Sequence, residues 1–434
     1  MRNYEQEIIN KAVPLKHEKS IQPLIDSIKN KKIVMIGEAS HGTQEYYKWR
    51  QLISQELIEH HGFNFISVEG DWPACQRINQ FIKGQGPNED SHKILSTFDR
   101  WPTWMWANLE LLWFTDWLKD WNRESNSKVS FYGLDLYSFY ESMDQVILTL
   151  QKIDPDLAKL VEQKYACLEP FRHDEKLYAK SLFKAPEGCK GQVLDVLKEV
   201  LEKNMRTNNQ TESWFDMKQN TKIVASAEKY YRAMIFGEED SWNVRDEHMM
   251  STLEMLLEHH GTHSKAIVWA HNTHVGDYRA TDMVTSGHLN IGGLAREIYG
   301  PENVGLIGFG SYDGSVTASY KWNGPILKYD IPEARTGSVE HACHHAVGEI
   351  GNPNFYLVFD PLDHGSPLNQ VMGHRAIGVV YDPEIEHRGN YVPTSLANRY
   401  DAFIYIDHSN SLAPIETNFD KKKFPETYPF GNRM

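Results

Sequence analysis

The sequence predicts an α/β fold: a mainly parallel sheet flanked by helices, interrupted by a helical insertion and followed by a small C-terminal α+β substructure. Three observations predict it. Strand-like apolar runs alternate with helical patterns, which favours βαβ units and parallel pairing. Four of those runs end on an acid or a histidine, as expected where a site gathers beyond the carboxyl ends of the strands. Between about Ser142 and Lys222 the strand signals vanish and Leu, Lys and Glu recur at helical spacing.

Ile33-Val34-Met35-Ile36 reads as the first strand and runs into Gly37-Glu38-Ala39-Ser40-His41-Gly42-Thr43. A helix is expected from Gln44 to His61, with Thr43 as N-cap and Gly62 as stop. Phe65-Ile66-Ser67-Val68 follows and runs into Glu69-Gly70-Asp71-Trp72. The segment Trp101 to Trp121 reads as an amphipathic helix, with Trp113, Trp117 and Trp121 four apart. Val129 to Gly133 is a third strand, leading to Asp135. After the insertion, helices at 212–236 and 243–259 lead to a fourth strand, Ala266 to Ala270, which runs into His271-Asn272-Thr273-His274. Val304 to Phe309 is a fifth. Asp313-Gly314 is a hairpin-type signal. Beyond it, short strands are expected at Ser315–Tyr320, Phe355–Phe359, Ile377–Tyr381 and Phe403–Ile406, with a helix around Val339–Val347. The expected division is 1–141 with 223–312 as an α/β catalytic core, 142–222 as the insertion and 313–434 as the C-terminal substructure.

The chain of 434 residues is too long for one core. Its 41% hydrophobic and 24% charged residues are those of an ordinary globular protein. A net charge of −14 repels phosphates and argues against nucleic acid. Cys75, Cys167, Cys189 and Cys343 are scattered without a CxxC pair, so reduced thiols in a cytoplasmic protein are expected. The polar start lacks the apolar core of a signal peptide. No apolar run approaches the roughly 18 residues of a membrane span, so no membrane partner is expected. Nothing in the chain bears on oligomeric state.

His41 beside Glu38 can act as general base, the carboxylate fixing its tautomer; the plain alternative is a turn histidine that caps the helix. Ser40 fails the GxSxG pattern of a serine nucleophile. His271 and His274 can serve as a second acid/base, oxyanion donors or metal ligands. Together with His41 and Glu38 or Glu69 they offer zinc-type ligands, but not at HExxH spacing. Glu69 and Asp71 can hold a histidine, a metal or an arginine, with a structural pairing to Arg50 or Arg77 as the plain alternative. Arg50, two turns into its helix, leans back toward the strand ends, where it can bind a carboxylate or an oxyanion. Trp72, Trp101, Trp104 and Trp106 can line an apolar cleft, although such residues are more often core.

At Gly37–Thr43, Arg50, Val68–Trp72 and Ala270–His274 the chain resembles the erythromycin esterase family, some of whose relatives are labelled succinoglycan biosynthesis proteins. The resemblance implies hydrolysis of a carboxylic ester, in the named members a macrolide lactone, and with it antibiotic resistance. It implies water as nucleophile and no metal or other cofactor. His41 would activate the water; Glu38 and Glu69 would position or polarise the histidines and the water. Arg50, His271 and His274 would orient the ester and stabilise charge, with Asp71, Trp72, Trp104 and Trp106 expected to contact a small-molecule ester substrate. Two other classes use the same residues: a zinc-dependent hydrolase, and a non-catalytic protein holding a metal or haem in the His/Glu cleft.

Overall fold

The computed structural model describes residues 2–86, 89–172, 175–207, 211–237 and 240–417. The strands are β1 (Val13–Pro14), β2 (Ile33–Ile36), β3 (Phe65–Asp71), β4 (Ser130–Asp135), β5 (Ala266–Trp269), β6 (Val304–Ala318), β7 (Leu327–Ile331), β8 (Asn354–Val358), β9 (Val371–Arg375), β10 (Tyr391–Ser395) and β11 (Ala402–Ser409). Nine of them form one sheet in the order β1-β8-β11-β6-β2-β5-β3-β4, with β7 on β6, while β9 and β10 make a separate ribbon. The pairs β11–β6, β6–β2, β2–β5 and β5–β3 are parallel. This is the mainly parallel α/β sheet that the sequence predicts.

Every side chain of β2 and β5 is buried, as continuous apolar runs must be when helices cover both faces. Each large one removed from water contributes about 1.5–3 kcal/mol. Parallel register sets Ile33 opposite both Ala266 and Val304, and Ile36 opposite Trp269 and Ile307. The segments that follow Ile36 and Trp269 therefore leave the sheet at one rim.

The first long helix, α1 (Gln44–His61), has the predicted bounds. Gly62 ends it in the left-handed conformation at φ 72°, and Thr43 stands at the N-cap with extended backbone. The Thr43 side chain makes no capping bond; its hydroxyl pairs with Ser40 Oγ. The next helix, α2 (Leu109–Glu124), starts later than expected, because Asn108 caps it by accepting from the Leu111 N–H at 2.8 Å. Helices α3 (Glu212–Phe236) and α4 (Ser241–His259) return the chain to β5. Among the described residues no helix is long and apolar enough to cross a membrane.

Contacts divide the chain into two units. The first comprises Met1–Val68, Ile78–Phe131 and Leu256–Phe419; the second contains Glu69–Arg77 and Tyr132–Met255. The second holds the predicted helical insertion, with helices at Phe139–Ile153, Pro155–Tyr165, Glu175–Leu182 and Lys190–Thr207. Its core includes Phe139, Val146, Val161, Val196 and Val224.

Three expectations are corrected. Asp313-Gly314 is no turn: β6 runs through it, and Gly314 is required because a Cβ there would lie 2.0 Å from Ser409 O on the neighbouring β11. Ile377–Tyr381 is not a strand; only isolated bridges tie Ile377 to Ser40 and Val380 to Ser319. Cys167 and Cys189 are not reduced thiols. The insertion folds their segments together, their Cα atoms lie 6.0 Å apart and they form a disulfide. Cys75 and Cys343 remain buried thiols.

Candidate active site

In the first unit the loops after β2 and β5 meet. Gly37 donates its N–H to Ile307 O at 2.8 Å, and Glu38 O accepts from the Asn272 N–H at 2.8 Å. Gly37 has no alternative, since a Cβ would stand 2.1 Å from Asn272 Oδ1. Glu38 is buried at 1% exposure and is held from two sides. His41 Nδ1 lies 2.9 Å from Oε1, and Arg50 Nη1 donates to Oε2 at 2.9 Å. A carboxylate only accepts. In the neutral ring the His41 proton therefore sits on Nδ1, which leaves Nε2 as the nitrogen able to accept.

Arg50 does lean back toward the strand ends, but it differs from the expectation that it contacts an ester. It is 0% exposed. Its Nε donates to Gly37 O and its Nη2 to Ala270 O, each at 2.9 Å. One planar cation thus fastens the ends of β2 and β5 and orients Glu38.

The short helix α5 (Asn272–Val275) carries the histidine pair. His271 caps it: Nδ1 accepts from the Thr273 N–H at 3.3 Å and lies 2.8 Å from Thr273 Oγ1. Neutral His271 therefore carries its proton on Nε2, the opposite tautomer to His41. The two rings stand with centroids 4.8 Å apart. His41 is 8% exposed, His271 4% and His274 2%. A base and a donor side by side suit transfer of a proton from water together with stabilisation of a developing oxyanion. Among the described residues no three His, Cys, Asp or Glu side chains are grouped to hold a metal ion.

Glu69, Asp71 and Trp72 belong to the second unit. Glu69 Oε1 accepts from Arg245 Nη2 at 2.7 Å, and Arg77 pairs with Glu141. Arg245, on α4, also grips Asp135 in a fork, Nη2 to Oδ2 at 2.6 Å and Nε to Oδ1 at 3.0 Å. Burial opposes its charge, but Asp135, Tyr137 and Glu69 hold the guanidinium well above its ordinary value. Sequence reasoning missed Arg245, because an arginine in the middle of a helix gives no local signal. Asp71 is buried.

The tryptophans expected to line a cleft are core residues. Trp72 is 1% exposed, stacks on Tyr132 and donates Nε1–H to Asp216 Oδ1 at 2.7 Å. Burial pushes Asp216 up to about 6. Trp104, edge-on to Trp101, and Trp106, edge-on to Tyr47, are packed inside the first unit. None offers an open apolar wall.

The erythromycin esterase family profile matches residues 58–409, so the segment from Gly37 to Arg50 precedes the matched span. An Escherichia coli protein, erythromycin esterase type II, is 22% identical over 390 residues, covering 82% of this chain and 88% of that protein. The fold is shared with three solved structures. One is a Bacillus cereus protein (TM-score 0.79, 20% identity, 95% of this chain and 99% of the other). Another is a succinoglycan biosynthesis protein (0.76, 21%, 95% and 98%). The third is a mutant of the erythromycin esterase EreC in its open conformation (0.65, 15%, 92% and 97%). With the profile spanning most of its length, this chain belongs to the erythromycin esterase family.

Proposed function

We propose that this chain hydrolyses carboxylic esters, macrolide lactones among them, with a water activated by His41 and without a metal. The observation that carries the reading is the Glu38 carboxylate held between Arg50 and His41 Nδ1. It fixes the tautomer in which Nε2 takes the proton from water, and it supports the imidazolium that results. The water oxygen bonds to the acyl carbon. The carbonyl electrons move onto oxygen, where the Nε2–H of His271 is the donor. The proton held by His41 then passes to the departing alkoxide. A positioned base supplies about 10²–10⁴ in rate and one oxyanion donor about 10²–10³. His274 and Glu69 are assigned supporting roles by the resemblance, and Arg245 gives Glu69 a cationic partner.

Family membership supports esterase chemistry; the relatives' names support macrolides as substrates. The test is mass spectrometry of macrolides and simple aryl esters incubated with the protein, which should gain one water. His41→Ala should lower turnover by at least about a hundredfold in a protein that still folds. Turnover that survives this substitution would remove His41 from its role.

A further inference from the structure

The turn that bears His271 and His274 is held from behind by side chains that reach no solvent. Arg399 Nη2 donates to Asn272 O at 2.9 Å. Asn290 donates to Thr273 O at 2.7 Å and to Gly276 O at 2.5 Å. The Asn272 side chain makes a two-point bond to the backbone of Phe309, Nδ2–H to O at 2.7 Å and Oδ1 from N–H at 3.3 Å. That bond fixes which way the amide faces, and its Nδ2 lies 3.3 Å from His374 Nε2. Because the amide nitrogen only donates, His374 Nε2 must accept. The His374 proton is thereby placed on Nδ1, which lies 2.5 Å from Glu340 Oε1. Glu340, on helix α6 (Val339–Ile350), also accepts from the Arg375 N–H at 2.9 Å. Asn272, His374 and Glu340 are each at most 1% exposed.

We infer that Glu340 and His374 are positioning residues for the histidine turn: through Asn272 they fix where His271 stands against His41. This rests on the ester-hydrolase reading of the same site. The physical argument is one of tautomers and desolvation. Burying a carboxylate and an imidazole is costly unless both find hydrogen-bond partners. Glu340 Oε2 has no hydrogen-bond partner among the described residues, so packing alone does not account for the pair. What the pair does provide is an acceptor at a fixed point behind Asn272. Burial pushes His374 below the ordinary histidine value despite Glu340, in agreement with the neutral ring that the Asn272 contact demands.

The test uses the full chain with ¹⁵N-labelled histidine and an aryl ester. His374→Gln keeps an acceptor for Asn272 and a donor for Glu340; His374→Phe keeps neither. Turnover in His374→Phe should fall by about 10–100-fold, the scale known for outer hydrogen-bond partners of metal-ligating histidines, with KM nearly unchanged. His374→Gln should restore most of it, and the ring ¹⁵N signals of His271 should shift in the Phe variant and return in the Gln variant. If His374→Phe does not fold, the double variant Glu340→Gln/His374→Phe removes the stranded charge and carries the same expectation. Unchanged His271 signals in a folded Phe or double variant would overturn the inference. If the wild type cleaves no ester, the hydrolase reading fails, while the His271 signals still decide whether His374 positions the turn.

Discussion

Replacing Glu38 by glutamine changes one oxygen to an amide nitrogen at constant shape, yet the surroundings make the change severe. Arg50 Nη1 faces Oε2 at 2.9 Å and is donor-only, so it selects the amide rotamer with the oxygen toward itself. The amide NH₂ then faces His41 Nδ1, where Oε1 now lies at 2.9 Å. Nδ1 must become an acceptor, and the ring proton moves to Nε2, the nitrogen the proposed reaction needs bare. An amide in the equivalent place of the serine-protease triad lowers turnover by about 10⁴ through the same wrong tautomer, and a loss of that order is expected here. Arg50 also loses its only charged partner among the described residues while 0% exposed. Stranding one member of a buried pair costs about 3–5 kcal/mol, an upper bound because the amide oxygen still accepts. The assay is single-substrate ester hydrolysis by the purified variant, with thermal unfolding followed by circular dichroism. A folded Glu38→Gln protein within tenfold of wild-type turnover would refute the tautomer argument.

Arg245→Gln removes a cation that Glu69 and Asp135, both buried, share. It should lower unfolding stability by about 3–5 kcal/mol in a urea titration, and a midpoint equal to wild type would contradict the clamp. Burial raises Asp216 from 3.8 to about 6, so the native state favours the neutral acid. That contribution is complete below the unfolded value and is lost as pH rises through about 6. Asp216→Asn should therefore raise the melting temperature at pH 8 and leave it nearly unchanged at pH 4. Two units correspond to at most about 3 kcal/mol, reduced because Asp216 keeps some solvent contact; parallel pH profiles for variant and wild type would dismiss the shift. Dialysis against a chelator should leave ester turnover intact, and loss of turnover restored by zinc would replace the metal-free mechanism.

The sheet was legible because its central strands carry an unambiguous physical demand: Ile33–Ile36 and Ala266–Trp269 are apolar throughout, as only doubly covered strands are. Helix α1 was legible, since a change of period and a glycine mark its ends. Local signals misled where a distant chain decides. Asp313-Gly314 has the chemistry of a hairpin, but the glycine answers to β11. Cys167 and Cys189, separated by 22 positions, carry no spacing signal for their pairing. In the site, His41, Glu38 and His271 were legible because they sit at strand ends. His374 and Glu340 were not, because a partner at the start of a helix or on the separate ribbon is identified only by what it touches; in the second unit the same holds for Arg245. Trp104 and Trp106 look alike as ligand wall or core from sequence, and burial separates the two.

Arg50 acts as a gauge block. With one edge of its guanidinium donating to Gly37 O and another to Ala270 O, the gap between two neighbouring strands at that rim is dictated by a rigid, flat ion instead of by pliable methyl groups. A lysine has no such width, and no neutral side chain forks the same way. Efforts to remodel this protein for bulkier acyl groups should leave that span untouched and alter the loops beyond it.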